Sequence, residues 1–421
     1  MVSNILGRLP PCSLAASRCV RKNWCAIIDS RHLLRADLLP LRLDGFFFLG
    51  EELGLECCQT YFFSRPSTGR RISGNLSGYD DDGWILDHCN GVLLLWELLV
   101  NPATRQSVRL PPFPELSSSY HESYFLAYDP MASSSPQHYE VLVFPTLLLA
   151  ANNESSHCSS WPPSPFAMHV FSSRKWRWEE RSFLREGNDD TVAHRDMLPS
   201  ASYYNYSEEA RHAVYLRRAL YVHCQNDSVM RITLWNDKYQ MIESPAENQV
   251  GVAYYIGKSQ QGVYYASLSE DNRCPRFRVW LLNESSCSKM EWSLKNDISL
   301  KAMLQNFPSD YTRRYNTPWI LNYQKDVGNG AWIEDDPDWD FESGIVLDET
   351  KDETITTCYK GTFFLGFHPH KEIAFFFIPF SRVVSHHLNS STFQELGLLN
   401  KPIMKSFPYT PCWMGELFEN N

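Results

Sequence analysis

The amino-acid sequence predicts a mainly β protein, a propeller-like array of small sheets behind a short helical head, on three observations. From Phe46 onward, short β-branched or aromatic runs recur at near-regular spacing, separated by Gly, Asn, Asp, Ser and Pro clusters. Several of these runs repeat one another in pattern. A helical period occurs ahead of them, within residues 1–45.

In the head, Ile5, Leu6 and Leu9 make a short helical piece that Pro10 and Pro11 end, and Ser13 offers an N-cap for a second helix. Val20, Trp24, Ile27 and Ile28 fall at i, i+4, i+7 and i+8, opposite Arg21, Lys22 and Asn23, which is the pattern of an amphipathic helix. Leu33, Leu34 and Leu38 continue the apolar pattern to Pro40 as a third piece. Three helices this short are too small to bury a core of their own. Their apolar face is expected to need another surface, either the rest of the chain or a partner.

In the body, GVLLLW, YEVLVF, ALYVHC, GVYYAS and IAFFFIPF each read as a strand. The segments HVFSSRKWRW (169–178) and RVWLLNESSCSKMEW (278–292) share a Val-aromatic start, a Ser-containing turn and Lys-x-x-Trp. LYVHCQNDSVMRITLWNDKYQMI and IAFFFIPFSRVVSHHLNSSTFQEL are similar units. Each exposes an apolar face that only a neighbour could cover. A sandwich would need fewer strands, and dividing 46–421 by roughly 40 to 50 residues per blade predicts about seven or eight blades. Asn101-Pro102-Ala103-Thr104 reads as a turn within a blade, because Pro102 fixes φ and the Asn101 side chain can hold the turn, so the next strand should begin near Val108. The Ser-rich stretches 117–119, 133–135 and 151–165 read as loops between strands.

Composition excludes several classes of function. The chain has 421 residues, 43% hydrophobic and 14% aromatic, enough for a large core. Its net charge of −10 creates no overall field drawing it to nucleic acid or to a membrane, so the expected partner is protein. No apolar run approaches the ~18 residues of a membrane span, and VLLLWELLV (92–100) carries Glu97. Gly7, Arg8 and the two prolines interrupt anything like a signal-peptide core, which places the expected location in the cytoplasm and/or nucleus. The twelve cysteines form no C-x-x-C and read as reduced thiols.

The residue patterns that could carry chemistry have plainer structural readings. Gly257-Lys258-Ser259 ends like a phosphate loop, but Val252 stands where the first glycine would be, and Ala-Tyr-Tyr-Ile between them reads as strand. His368/His370 and His386/His387 could ligate a metal; as strand residues they fit core or surface positions better, and only the i, i+2 pair shares a face. The acidic stretch 334–340 and Asp80-Asp81-Asp82 lack the glycine-centred spacing of a calcium loop. No nucleophile elbow is present. The expectation is therefore no catalytic residue, no metal and no cofactor.

The head segment LPPCSLAASRCVRKNWCAIIDSRHLLRADLLPL resembles the F-box of plant F-box proteins, through its Leu-Pro opening, Ser-Leu, Cys-Val-x-Lys-x-Trp and Leu-Leu. The family motif opens with another Leu-Pro and an acidic turn before this point, where Met1-Val2-Ser3-Asn4 stand, so the resemblance is to an N-terminally truncated three-helix F-box over 1–45. DHCNGVLLLWELLVNPATRQSVRLPPFP, GKSQQGVYYAS and LGFHPHKEIAFFF resemble the kelch-like, F-box associated propeller region of grass proteins, over 46–421. What this resemblance implies is a substrate-recognition subunit of an SCF ubiquitin ligase, itself without catalytic residues. Its F-box would dock on the Skp adaptor, and through it on a cullin, while the propeller holds a target protein. Carried over to this chain, the adaptor-binding positions are Leu6, Leu9, Pro10, Leu14, Val20 and Trp24, which pack within the motif or against the adaptor. The alternative is a non-ligase propeller scaffold with a degenerate F-box.

Overall fold

In the computed structural model the described residues are 2–9, 14, 17, 20–31, 33, 43–51, 58–64, 72, 74, 76, 79, 83–114, 120–130, 138–147, 162–187, 212–224, 228–246, 252–269, 276–284, 290–305, 319–322, 345–346, 362–379 and 381–413. The acidic stretches 80–82 and 334–340, the Ser-rich 117–119 and 133–135, most of 151–165, Pro10, Pro11 and Ser13 lie outside them.

The head contains α1 (Val2–Leu6) and α2 (Lys22–Ser30). The body begins with β1 (Gly45–Glu51) and β2 (Cys58–Ser64). One four-stranded antiparallel sheet follows, made of β3 (Asp87–Cys89), β4 (Val92–Leu95), β5 (Leu98–Asn101) and β6 (Gln106–Arg109). The next comprises β7 (Tyr120–Tyr128), β8 (Tyr139–Leu147), β9 (Phe166–Ser172) and β10 (Arg177–Arg185). A third comprises β11 (Ala213–Leu216), β12 (Ala219–His223), β13 (Val229–Thr233) and β14 (Lys238–Ile242), joined to the second by a short parallel pairing of β10 with β14. β15 (Val252–Lys258), β16 (Val263–Ser269), β17 (Arg276–Glu284) and β18 (Met290–Ser299) make the fourth, and α3 (Leu300–Gln305) follows directly. After β19 (Ile320–Asn322) and β20 (Ile345–Val346), the fifth sheet holds β21 (Phe363–Phe367), β22 (Ile373–Ile378), β23 (Arg382–His387) and β24 (Thr392–Leu398), with β20 on its edge. The chain returns with β25 (Lys405–Tyr409), which pairs with β1 so that the sixth sheet reads β19-β2-β1-β25.

The six sheets close into a ring, and the alternation of side chains shows how. In β1, Phe46 and Phe48 pack with Leu365, Phe375 and Val383 of the fifth sheet, while Phe47 and Leu49 pack with Leu93, Leu95 and Val100 of the first. A strand has a side-chain period of two, so one Phe-Phe-Phe-Leu run feeds two interfaces. The same holds around the circle. Leu94 and Tyr128 join the first two sheets, Phe166 and Ile232 the second and third, Tyr221 and Tyr265 the third and fourth, and Phe277 and Phe376 the fourth and fifth. Each interface is a separate apolar cluster, and six clusters between six sheets leave no sheet face at an open end. Among the described residues the array is thus propeller-like with six units, where division by length predicts seven or eight. That division assigned every residue of 46–421 to a blade, and spans such as 188–211 and 323–344 fall outside the described strands.

The repeated hairpins fall where the sequence places them. HVFSSRKWRW is β9 turning into β10, RVWLLNESSCSKMEW spans the β17–β18 pair, and the two longer units are β12–β14 and β22–β24. Asn101 is fully buried and its Oδ1 accepts from Ala103 N at 3.1 Å, so β6 starts at Gln106. Its Nδ2 also donates to Cys412 O at 2.9 Å, which ties the first sheet to the C-terminal segment.

The β3–β4 turn is Asn90-Gly91, with φ of 48° and 85°. A Cβ on Gly91 would stand 2.6 Å from both Cys412 N and Thr410 O. Gly91→Ala is therefore expected to cost about 2 kcal/mol or more, from the left-handed φ and the backbone collision together. Chemical unfolding of the variant checks this; an unchanged midpoint would contradict the packing described.

Candidate functional site

Two regions hold arrangements beyond ordinary core packing, the head and one end of the ring. In the head, Leu6, Leu14 and Ile28 are buried together, with Leu9, Trp24, Ile27 and Leu33 packed against them. Among the described residues this cluster draws on the head alone, although the sequence suggested that three such short helices could not bury a core of their own. The single helix expected from Ser13 through Ile28 is interrupted. Val20 stands in a turn, its N–H donating to Ser17 O at 3.1 Å, and α2 begins at Lys22. A straight helix would hold Leu14 and Ile28 about 21 Å apart, too far to share a cluster, so the break is what lets them meet. Its consequence is that Val20 leaves the stripe and is 61% exposed.

The residues singled out in the head therefore have different places. Leu6 and Leu14 are interior, Leu9 and Trp24 are half-buried on that interior, Val20 faces solvent, and Pro10 lies outside the described residues. Ile5, at 60% exposure, and Val2 are also exposed. The residue pattern did not single out those two as a surface.

At the ring, the inner strands β3, β7, β11, β15, β21 and β25 pack on one another in that order, and Lys405 of β25 closes the circle by donating from Nζ to Leu86 O at 3.0 Å. Each inner strand ends in a loop on the same end of the ring. Asn90 Nδ2 donates to Tyr128 O at 2.6 Å, and Ser259 Oγ donates to His368 O at 3.0 Å. Arg217 lines a cleft of about 260 Å³ with Gln261 and Gly262. Lys258, the last residue of β15, donates to Asn90 Oδ1. Since β3 and β15 are three places apart in a ring of six, this bond crosses the ring's axis.

The electrostatics follow from burial around that axis. Burial lowers the Lys258 pKa, with Asp129 opposing. Burial first, and then the charges of Lys258 and Lys405, hold the His88 imidazole down to about 3. His370 is lowered to about 4 by burial and by Lys258. His212 is lowered to about 3 by burial and then by Lys405. Asp87, which accepts from Leu126 N at 2.7 Å, is raised to about 7 by burial, against Lys405. The axis thus combines ammonium groups with neutral imidazoles.

The histidine pairs take structural places. His368 is buried and its Nδ1 accepts from His370 N at 3.0 Å. His386 is fully buried, stacks on Phe393 at 4.2 Å and meets Asn296 Oδ1 through Nε2 at 3.2 Å. His387 Nδ1 accepts from Asn389 N at 3.3 Å in the turn that follows. Gly257-Lys258-Ser259 is a strand end, as the intervening residues suggested. The triplet pattern assigns Lys258 no role of its own. The signal that could have marked Asn90 is the Asn-Gly pair between two apolar runs, a strong hairpin signature.

A curated Arabidopsis thaliana protein, At5g44220, provisionally named an F-box protein, is 34% identical to this chain over 146 residues, which are 31% of this chain and 45% of that protein. The chain thus spans less than half the length of the curated relative it matches, and that similarity supports a relationship to F-box proteins. No protein-family model matches the chain. Among solved structures, the complex of the fission yeast SREBP–SCAP binding domains aligns at 12% identity and a TM-score of 0.24, covering 64% of this chain and 80% of that one. The WD40 domain of SCAP from fission yeast aligns at 11% and 0.25, covering 74% and 72%. Scores of this size do not establish a shared fold, and the ring described above rests on its own strands and interfaces.

Proposed function

We propose that this chain is the substrate-recognition subunit of an SCF ubiquitin ligase. Residues 1–45 act as an F-box that docks on a Skp adaptor, and through it on a cullin, while 46–421 form a kelch-like, F-box associated propeller that holds a target protein. The observation that carries this reading is the head's surface: it encloses its own small core and still presents Ile5 and Val20 to solvent at 60% and 61%. Apolar groups that a folded unit leaves out of its core are the groups a partner can cover. The similarity to At5g44220 supports the same assignment. In this role the chain breaks no bond itself. It raises the local concentration of a target near ubiquitin carried by another enzyme, in the cytoplasm or nucleus.

The test is co-purification of the full chain with a Skp adaptor. Wild type is expected to bind, and the double variant Ile5→Asp/Val20→Asp to bind at least ten-fold more weakly while keeping its circular dichroism, because both side chains are exposed. Trp24→Ala, which packs on the head's cluster, should weaken binding by loosening the head itself. Equal binding by wild type and double variant would refute docking through these two side chains, and no binding by either would favour a scaffold that recruits no ligase.

A further inference from the structure

The loops at the axial end of the ring collect positive charge on a chain whose net charge is −10. Arg217 and Arg218 form the β11–β12 turn there, both exposed, with φ of 50° and 64°. Such a turn ordinarily takes Asn-Gly, and two arginines held left-handed store strain that ordinary turn chemistry would have avoided. Lys258, on the neighbouring inner strand β15, reaches across the axis to Asn90. An ammonium has three N–H donors, and among the described residues Lys258 makes one hydrogen bond, to the neutral amide of Asn90. Two donors remain on this half-exposed residue at the ring's end, and the loop that carries His370 is tied to the next residue, Ser259, whose Oγ donates to His368 O at 3.0 Å. Asp129 lies near Lys258, and Glu284 lines the Arg217 cleft, but among the described residues neither carboxylate takes the two remaining donors of Lys258.

We propose that this end of the ring binds a small oxyanion, a phosphate or a carboxylate, on Lys258, with Asn90 and His370 beside it. The anion takes the two remaining ammonium donors in a half-buried setting, where charge-assisted hydrogen bonds are stronger than at an open surface. Asn90, already donating to Tyr128 O, keeps Lys258 extended across the axis. The inference is independent of the ligase reading, since it involves no head residue.

The experiment is isothermal titration of the full chain with inorganic phosphate and, separately, with citrate, at constant ionic strength. Wild type is expected to bind at least one of them saturably, and Lys258→Met to weaken that binding at least ten-fold. Binding of both would assign the shared oxyanion chemistry, and binding of one alone would name the source. If Lys258→Met does not fold, Asn90→Asp replaces it: a carboxylate facing Lys258 competes with the anion and should weaken binding by a similar factor. Absence of saturable binding to wild type, or equal binding by wild type and variant, overturns the proposal.

Discussion

Ending the chain at Pro402 is expected to abolish cooperative folding, although only nineteen of 421 residues are lost. Those residues contain β25, which supplies the innermost strand of the sixth sheet and pairs with β1 from Gly45↔Tyr409 to Leu49↔Lys405. Without it, Phe47 loses the edge contact of Tyr409 at 5.1 Å, and the first sheet loses Phe407 and Tyr409 from its cluster. Asn101 is left with a buried amide whose acceptor, Cys412 O, has gone. The sixth sheet then lacks its inner strand, and the interfaces on both sides of it are incomplete. Far-UV circular dichroism through a urea titration reads the result: a broad, non-cooperative transition is expected, and an unchanged midpoint would show that closure contributes nothing. Phe47→Ala probes the same joint more gently. Phe47 is fully buried and stacked on Phe62 at 4.4 Å, so the expected loss is about 3 to 5 kcal/mol.

Mild acid is expected to destabilise the ring strongly, through histidines that the fold holds neutral. His368 and His386 are 1% and 0% exposed, and burial lowers each from its ordinary value to about 3. A folded pKa below the unfolded one means that the unfolded chain takes up protons first. Stability is therefore complete above about pH 6.5 and is lost progressively as pH falls towards 3. At about 1.4 kcal/mol per pH unit, each of the two costs about 2 kcal/mol at pH 5. Asp87 works in the opposite sense. Raised to about 7 in the fold, it favours the folded state as pH falls from 7 towards its unfolded value, and offsets part of the loss. The clean comparison is between wild type and His386→Phe in urea at pH 7 and pH 5. The variant should lose about 2 kcal/mol less than wild type over that interval, since Asp87 acts equally on both; identical losses would mean that His386 titrates normally.

The contrast between what was legible and what was not follows the range of each interaction. The run Phe46-Phe47-Phe48-Leu49 announces a strand buried on both faces, and the Lys-x-x-Trp hairpins announce a repeated unit, because strand period and turn chemistry act within a few residues. Asn101 was readable as a turn residue for the same reason, while its bond to Cys412 spans 311 positions and left no local trace. In the head, helical spacing was correct for Trp24, Ile27 and Ile28. It was misleading for Val20, because the compact packing of Leu6, Leu14 and Ile28 outweighed helical continuity over a few residues.

By itself, the sequence determined a mainly β chain of short repeated strands with a helical head, since hydrophobic period and turn residues are local properties of neighbouring side chains. The tertiary structure alone decided that, among the described residues, six sheets pack in a ring, that β25 completes the sheet begun by β1, and that Lys258 meets Asn90 across 168 positions. Those outcomes depend on how each sheet turns against the next, a rotation accumulated over every interface and encoded in no single stretch of residues.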